Sequence, residues 1–132
     1  FIVFYYYKKL YGKKSQISQE IFDIMFADFE NNLREMGFGD IAVNKKMKVF
    51  ITAFYGRIAQ YNKGIEVYRV DHDKSLLQET ILNNIYKGSD ISDKYLHYFI
   101  KYMNKNINHF LKSNEQENLE NNFEYISIRY ES

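Results

Sequence analysis

Leu33-Arg34-Glu35-Met36-Gly37-Phe38-Gly39-Asp40, answered by Phe54-Tyr55-Gly56-Arg57, is the stretch on which the reading of the chain turns. Ahead of it, Ile21, Phe22, Met25, Phe26, Phe29, Leu33 and Met36 recur at helical spacing, which predicts a long amphipathic helix. Ile17 before Ser18, with Phe22 four places on, has the order of an N-cap with a hydrophobic staple. Gly37 stands where a left-handed C-cap residue belongs, and Phe38 supplies the apolar residue that follows such a cap. Gly39 reads as a second turn glycine and Asp40 as a cap for the next helix. That helix is expected over residues 44–63, with Met47, Phe50, Ile51, Phe54, Ile58 and Tyr61 as its core stripe.

Three features of this second helix go beyond packing. Arg57 lies at the margin of the stripe, where it is expected to meet Asp40, Glu35 or helix-end carbonyls. Gly56 falls on the opposite face with Thr52 and Ala59, and a small-residue face lets a second backbone come close, from this chain or a partner. Lys45, Lys46 and Lys48 open the helix, where positive charge opposes the dipole. A solvated first turn accounts for them, and the conflict with the dipole tilts the reading towards docking.

Working outward, Phe1-Ile2-Val3-Phe4-Tyr5-Tyr6-Tyr7 is too short to span a bilayer. Lys8, Lys9 and Gly12 favour the last turns of a helix with a glycine cap, and the chain is expected to begin inside that helix. Residues 66–73 read as a polar connection with Asp73 as the N-cap of a shorter helix through Leu77, Ile81 and Ile85, ended by Gly88. Ser92 caps a last helix running to about Leu111 through Tyr95, Leu96, Phe99, Met103, Ile107 and Phe110. Tyr98, Ile100, Tyr102 and Leu111 widen its apolar arc beyond one packing face. Residues 114–122 read as a polar loop, and residues 123–130 as a short strand or a segment draped over the helices. The expected architecture is all-α: one domain of four or five helices over residues 1–112, then a polar loop and extended segment over 113–132, packed on it or partly disordered.

Composition narrows the chemistry. A chain of 132 residues can bury one real core. No proline interrupts the helices, and no cysteine is present to form a disulfide, a thiolate metal site or a nucleophile. A formal net charge of +1 gives little attraction to nucleic acid, so none is expected as a partner. His72, His97 and His109 lack ligand spacing, and Asp71-His72-Asp73 reads as a capping loop more readily than a metal site. Glu30 and Glu35 are not spaced for acid–base work, so no catalytic, metal-binding or cofactor-binding residue is assigned. Two classes stay open on these grounds: a small helical enzyme, and a general protein-interaction module. A closed apolar pocket holding a perturbed acid–base pair would mark the enzyme, and an open aromatic groove a binding protein.

Phe22-Asp23-Ile24-Met25-Phe26-Ala27-Asp28, Asn32 to Asp40, Lys45-Lys46-Met47-Lys48, and Ala53-Phe54-Tyr55-Gly56-Arg57 with Tyr61 carry a resemblance to the ubiquinol–cytochrome c chaperone family. It is dense from Ile21 to Tyr61 and loose from there to Phe110, and the segment from Asn114 matches no pattern. The family's N-terminal stretch, with its own preceding helix, finds no match in this sequence, and upstream sequence is expected ahead of Phe1. The wealth of Ile, Lys, Asn and Tyr suits an AT-rich bacterial source. The resemblance implies a non-enzymatic assembly chaperone for the cytochrome bc complex, respiratory complex III. It further implies cytochrome b or another subunit of that complex as client, a small helical co-chaperone, and a place peripheral to the inner face of the cytoplasmic membrane. The residues expected to meet the partner are Arg34, Glu35, Asp40, Lys45, Lys46, Tyr55, Gly56, Arg57, Tyr61, Tyr98 and Tyr102.

Overall fold

The computed structural model describes residues 1–12, 16–87, 90–112 and 124–127. Five helices carry them: α1 (Ile2–Tyr11), α2 (Gln16–Glu35), α3 (Asp40–Asp71), α4 (Ser75–Asn84) and α5 (Asp93–Lys112). The fold is all-α, and no strand occurs among the described residues. Gly12, at φ +73°, follows α1 as the expected glycine cap. Because α2 opens at Gln16, Ser18 lies inside its first turn and not at the N-cap.

The larger departure is α3. Expected over residues 44–63, it runs for 32 residues and absorbs most of the connection expected at 66–73. Gly64 explains why the helix does not stop. It is buried, and a Cβ built there would lie 3.1 Å from the Cα of Leu77 and 3.2 Å from its backbone nitrogen. The missing side chain lets α3 and α4 approach backbone to backbone, and that packing carries the helix through a residue of poor helical propensity. The helix ends at His72 instead, which enters the left-handed region at φ 57° while its N–H donates to the Tyr68 carbonyl at 3.0 Å. Lys74 takes the N-cap position of α4, and Asp73, expected there, lies one residue ahead of it, where its carboxylate accepts from the N–H and Oγ of Ser75 at 2.9 and 2.6 Å. Those two bonds hold its carboxyl below the usual carboxylate range. Asp71-His72-Asp73 thus spans the end of one helix and the start of the next.

The chain divides into two compact units, Phe1–Tyr6 with Gln60–Ser132, and Tyr7–Ala59. In the first, Tyr6, Ile65, Leu77, Ile81, Ile100, Ile107 and Phe110 are almost fully buried. Ile100 therefore sits in the middle of the α5 stripe and not on its margin, whereas Tyr95 is exposed. Ile85 falls past the end of α4 and is also exposed, and Gly88 lies outside the described residues. Ser92 is the N-cap of α5, its carbonyl accepting from the N–H of Tyr95 at 3.0 Å and of Leu96 at 3.4 Å. Tyr6 meets Phe110 edge-on with ring centres 5.8 Å apart.

Polar pairings tie the elements of this unit together. The Tyr5 hydroxyl donates to the Glu66 carboxylate. Burial first, then the carboxylate, pushes the Tyr5 pKa well above the ordinary phenol value. Arg69 on α3 donates to Asn104 and Asn108 on α5, at 3.2 and 2.6 Å. Asn106 is fully buried, and its amide accepts from the Ile126 N–H at 2.7 Å while donating to the Ile126 carbonyl at 3.1 Å. Tyr125, one residue earlier, stacks on Tyr102 and meets Phe110 edge-on. Residues 124–127 are thus a draped strap and not a strand, while residues 113–123 and 128–132 lie outside the described residues.

Candidate partner-binding surface

The turn between α2 and α3 closes as its glycine predicts. Gly37 has φ +93°, its N–H donates to the Arg34 carbonyl at 3.0 Å, and the Phe38 N–H donates to the Leu33 carbonyl at 3.3 Å. These are the two bonds of a Schellman motif. Gly39 follows without a positive φ and takes the N-cap position of α3, its carbonyl accepting from the Val43 N–H at 2.9 Å. Asp40 is therefore the first helical residue and not the cap. Its carboxylate pairs with Arg34, which also reaches Glu30 at 3.3 Å, so the ion pair expected at Arg57 forms at Arg34 instead. Gly37→Ala should cost about 1 kcal/mol or more, because the new Cβ strains a left-handed residue even with open space around it. A urea midpoint equal to that of the parent protein would contradict this account of the turn.

Two antiparallel ranks of aromatic rings join α2 to the first half of α3. Phe29 stacks on Phe50 at 4.0 Å, Phe26 meets Phe50 and Phe54 edge-on at 5.8 Å, and Phe22 meets Phe54 at 5.6 Å. Tyr55 lies tilted against Phe22 at 5.1 Å. Phe26, Phe29, Phe50 and Phe54 are only half-buried, in contrast to the sealed rings of Tyr6 and Phe110. Leu33 and Val43 are buried near the turn.

On this unit lie eight of the residues expected to meet a partner: Arg34, Glu35, Asp40, Lys45, Lys46, Tyr55, Gly56 and Arg57, all exposed. Arg57 has no carboxylate partner among the described residues. A Cβ on Gly56 would meet nothing within 4 Å, and Thr52, Ala53 and Ala59 are exposed beside it, so no part of the described chain packs on the small face.

The other three expected residues belong to the first unit. Tyr61 is a correction: it is 2% exposed and stacks on Phe1 at 4.4 Å, a core residue with no surface to offer. Tyr98 is half-buried on α5. Tyr102 is half-buried too, and the chain's own Tyr125 already stacks on it.

Sequence reasoning missed the exposed apolar residues of the hairpin. Met36, read as the end of the α2 stripe, comes after the last helical residue and is 73% exposed. Ile41 is 76% exposed, and Ile24 and Val49 are nearly as open. The signal was available for Ile41 and Val49, which fall off the Met47, Phe50, Ile51, Phe54 and Ile58 stripe. No described helix is long and apolar enough to cross a membrane, and the described residues hold no group of three or more potential metal ligands.

The sequence profile of the family described as ubiquinol–cytochrome C chaperone matches residues 1–125. No curated protein and no solved structure matches the chain.

Proposed function

The chain belongs to the ubiquinol–cytochrome c chaperone family, and from that premise we propose that it holds cytochrome b, without catalysis, during assembly of the cytochrome bc complex. The observation that carries this reading is the α2–α3 hairpin, whose rings at Phe26, Phe29, Phe50 and Phe54 are half-buried and bordered by exposed Tyr55. Apolar surface of this kind on a helical hairpin suits an apolar client segment that has not yet found its own partners. Arg57 and the lysines at the start of α3 lie on the same unit and orient the client, and rim charges of this sort act chiefly on association rate. Other subunits of the complex, a small helical co-chaperone and a station at the inner face of the cytoplasmic membrane belong to the same reading, with the family as their support.

The test is capture. A tagged protein should retain newly made cytochrome b, and cells lacking it should accumulate less mature complex III. Gly56→Asp with Arg57→Asp, both at exposed positions, should leave the fold intact and abolish capture. Normal complex III in a clean deletion strain, with no compensating relative, would overturn the proposal.

A further inference from the structure

Met36 and Phe38 on the turn between α2 and α3, and Ile41 in the first turn of α3, are three exposed apolar residues within six positions. A single exposed apolar side chain needs no explanation, but a cluster at the tip of a hairpin does. Just behind the tip, Ile41, Lys45 and Lys48 are spaced four and three residues apart, which puts them on one face of α3. Lys46 reaches back over the Phe38 ring, its Nζ 4.7 Å from the ring centre. Between residues 34 and 48 the chain carries four basic and two acidic residues. Of the acids, Asp40 is paired with Arg34, which leaves three exposed lysines against Glu35.

We propose that this tip docks the protein directly on an anionic lipid bilayer, with Met36, Phe38 and Ile41 entering the headgroup boundary and Lys45, Lys46 and Lys48 facing the lipid phosphates. The proposal goes beyond the client reading and does not rest on it. Shape and charge both favour lipid over a protein groove. A helix–helix turn is convex, and a bilayer accepts a convex apolar tip, whereas helix recognition between proteins uses a groove. Lysines ringing apolar side chains are the pattern of interfacial binding, with stems along the apolar surface and ammonium groups at the phosphates. Each such lysine strengthens binding to an anionic surface about fivefold.

The experiment is flotation of the full chain with protein-free vesicles of phosphatidylcholine, with and without phosphatidylglycerol. The protein should float with the anionic vesicles, weakly with the neutral ones, and less as salt rises. Met36→Ser with Phe38→Ser and Ile41→Ser should abolish flotation. Lys45→Gln with Lys46→Gln and Lys48→Gln should weaken it about a hundredfold. Val70→Ser with Ile85→Ser, at exposed apolar positions of the other unit, should leave flotation unchanged. Circular dichroism should show all variants folded, since every substituted side chain is exposed. Failure of the parent to float with anionic vesicles would overturn the proposal, as would equal flotation by the tip variant. A tip variant that floats normally yet loses cytochrome b would make the tip a protein contact instead.

Discussion

Gly64→Leu should destabilise the protein by about 3 kcal/mol or more, lowering its melting temperature by about 10 °C or more, whereas Gly56→Leu should leave it unchanged or slightly raised. Both glycines lie in the interior of α3, so helical propensity alone predicts the same gain of about 0.8 kcal/mol for each. Space separates them. At Gly64 a Cβ already crowds the Leu77 backbone at 3.1 Å, and backbone cannot turn aside as a flexible side chain can. The leucine would have to push α4 off α3 and open the layer that holds Leu77 and Ile81. At Gly56 nothing stands within 4 Å. Thermal melts of the two variants, followed by helical dichroism, decide the matter, and equal melting temperatures would refute it.

The second large effect is expected at Phe110. It is 2% exposed, and its ring meets Tyr6 from α1, His109 on its own helix and Tyr125 from the strap. Phe110→Ala should cost about 3–5 kcal/mol, because lost burial adds to a cavity whose walls come from separate segments and cannot all collapse inwards. Phe26→Ala, at a half-buried ring of the hairpin, should cost about 1–3 kcal/mol, since less of the ring leaves water on folding. A cycle with Tyr125→Ala should return a coupling to Phe110 of about 0.5–1.5 kcal/mol. Urea titrations in which Phe26→Ala proves costlier than Phe110→Ala would show that the core has been misplaced.

The two glycines also mark how far the sequence could be read. Gly56 was expected to admit a neighbouring backbone and faces open space; Gly64, beyond the expected helix end, is where the close approach occurs. Local pattern says that a glycine allows contact, but only the way α4 folds back on the end of α3 decides which glycine is used. Gly37 was legible because its reason is local: a helix end, a left-handed φ and two bonds within six residues. The aromatic hairpin was legible too, since Phe22, Phe26, Phe29, Phe50 and Phe54 carry their helical period openly. Tyr61 shares that period, and its sealing under Phe1 comes from a segment far away in the chain. Of the surface residues, the exposed glycine, tyrosine and charges of the hairpin were readable, while the pairing of Asp40 with Arg34 in place of Arg57 depended on the geometry of the turn.

Asn106 places an uneven burden on the two positions that it joins. It recognises the strap through the N–H and carbonyl of residue 126 and ignores that residue's side chain. Any residue with an N–H can make these two bonds at 126, a freedom that bars only proline, although the half-buried side chain there must still fit its seat. Position 106 has no such freedom. Aspartate offers no amide donor, leucine offers neither donor nor acceptor, and glutamine sets its amide one carbon too far out. The backbone pairing of the strap thus depends less on which residue stands at 126 than on the asparagine at 106 that reads it.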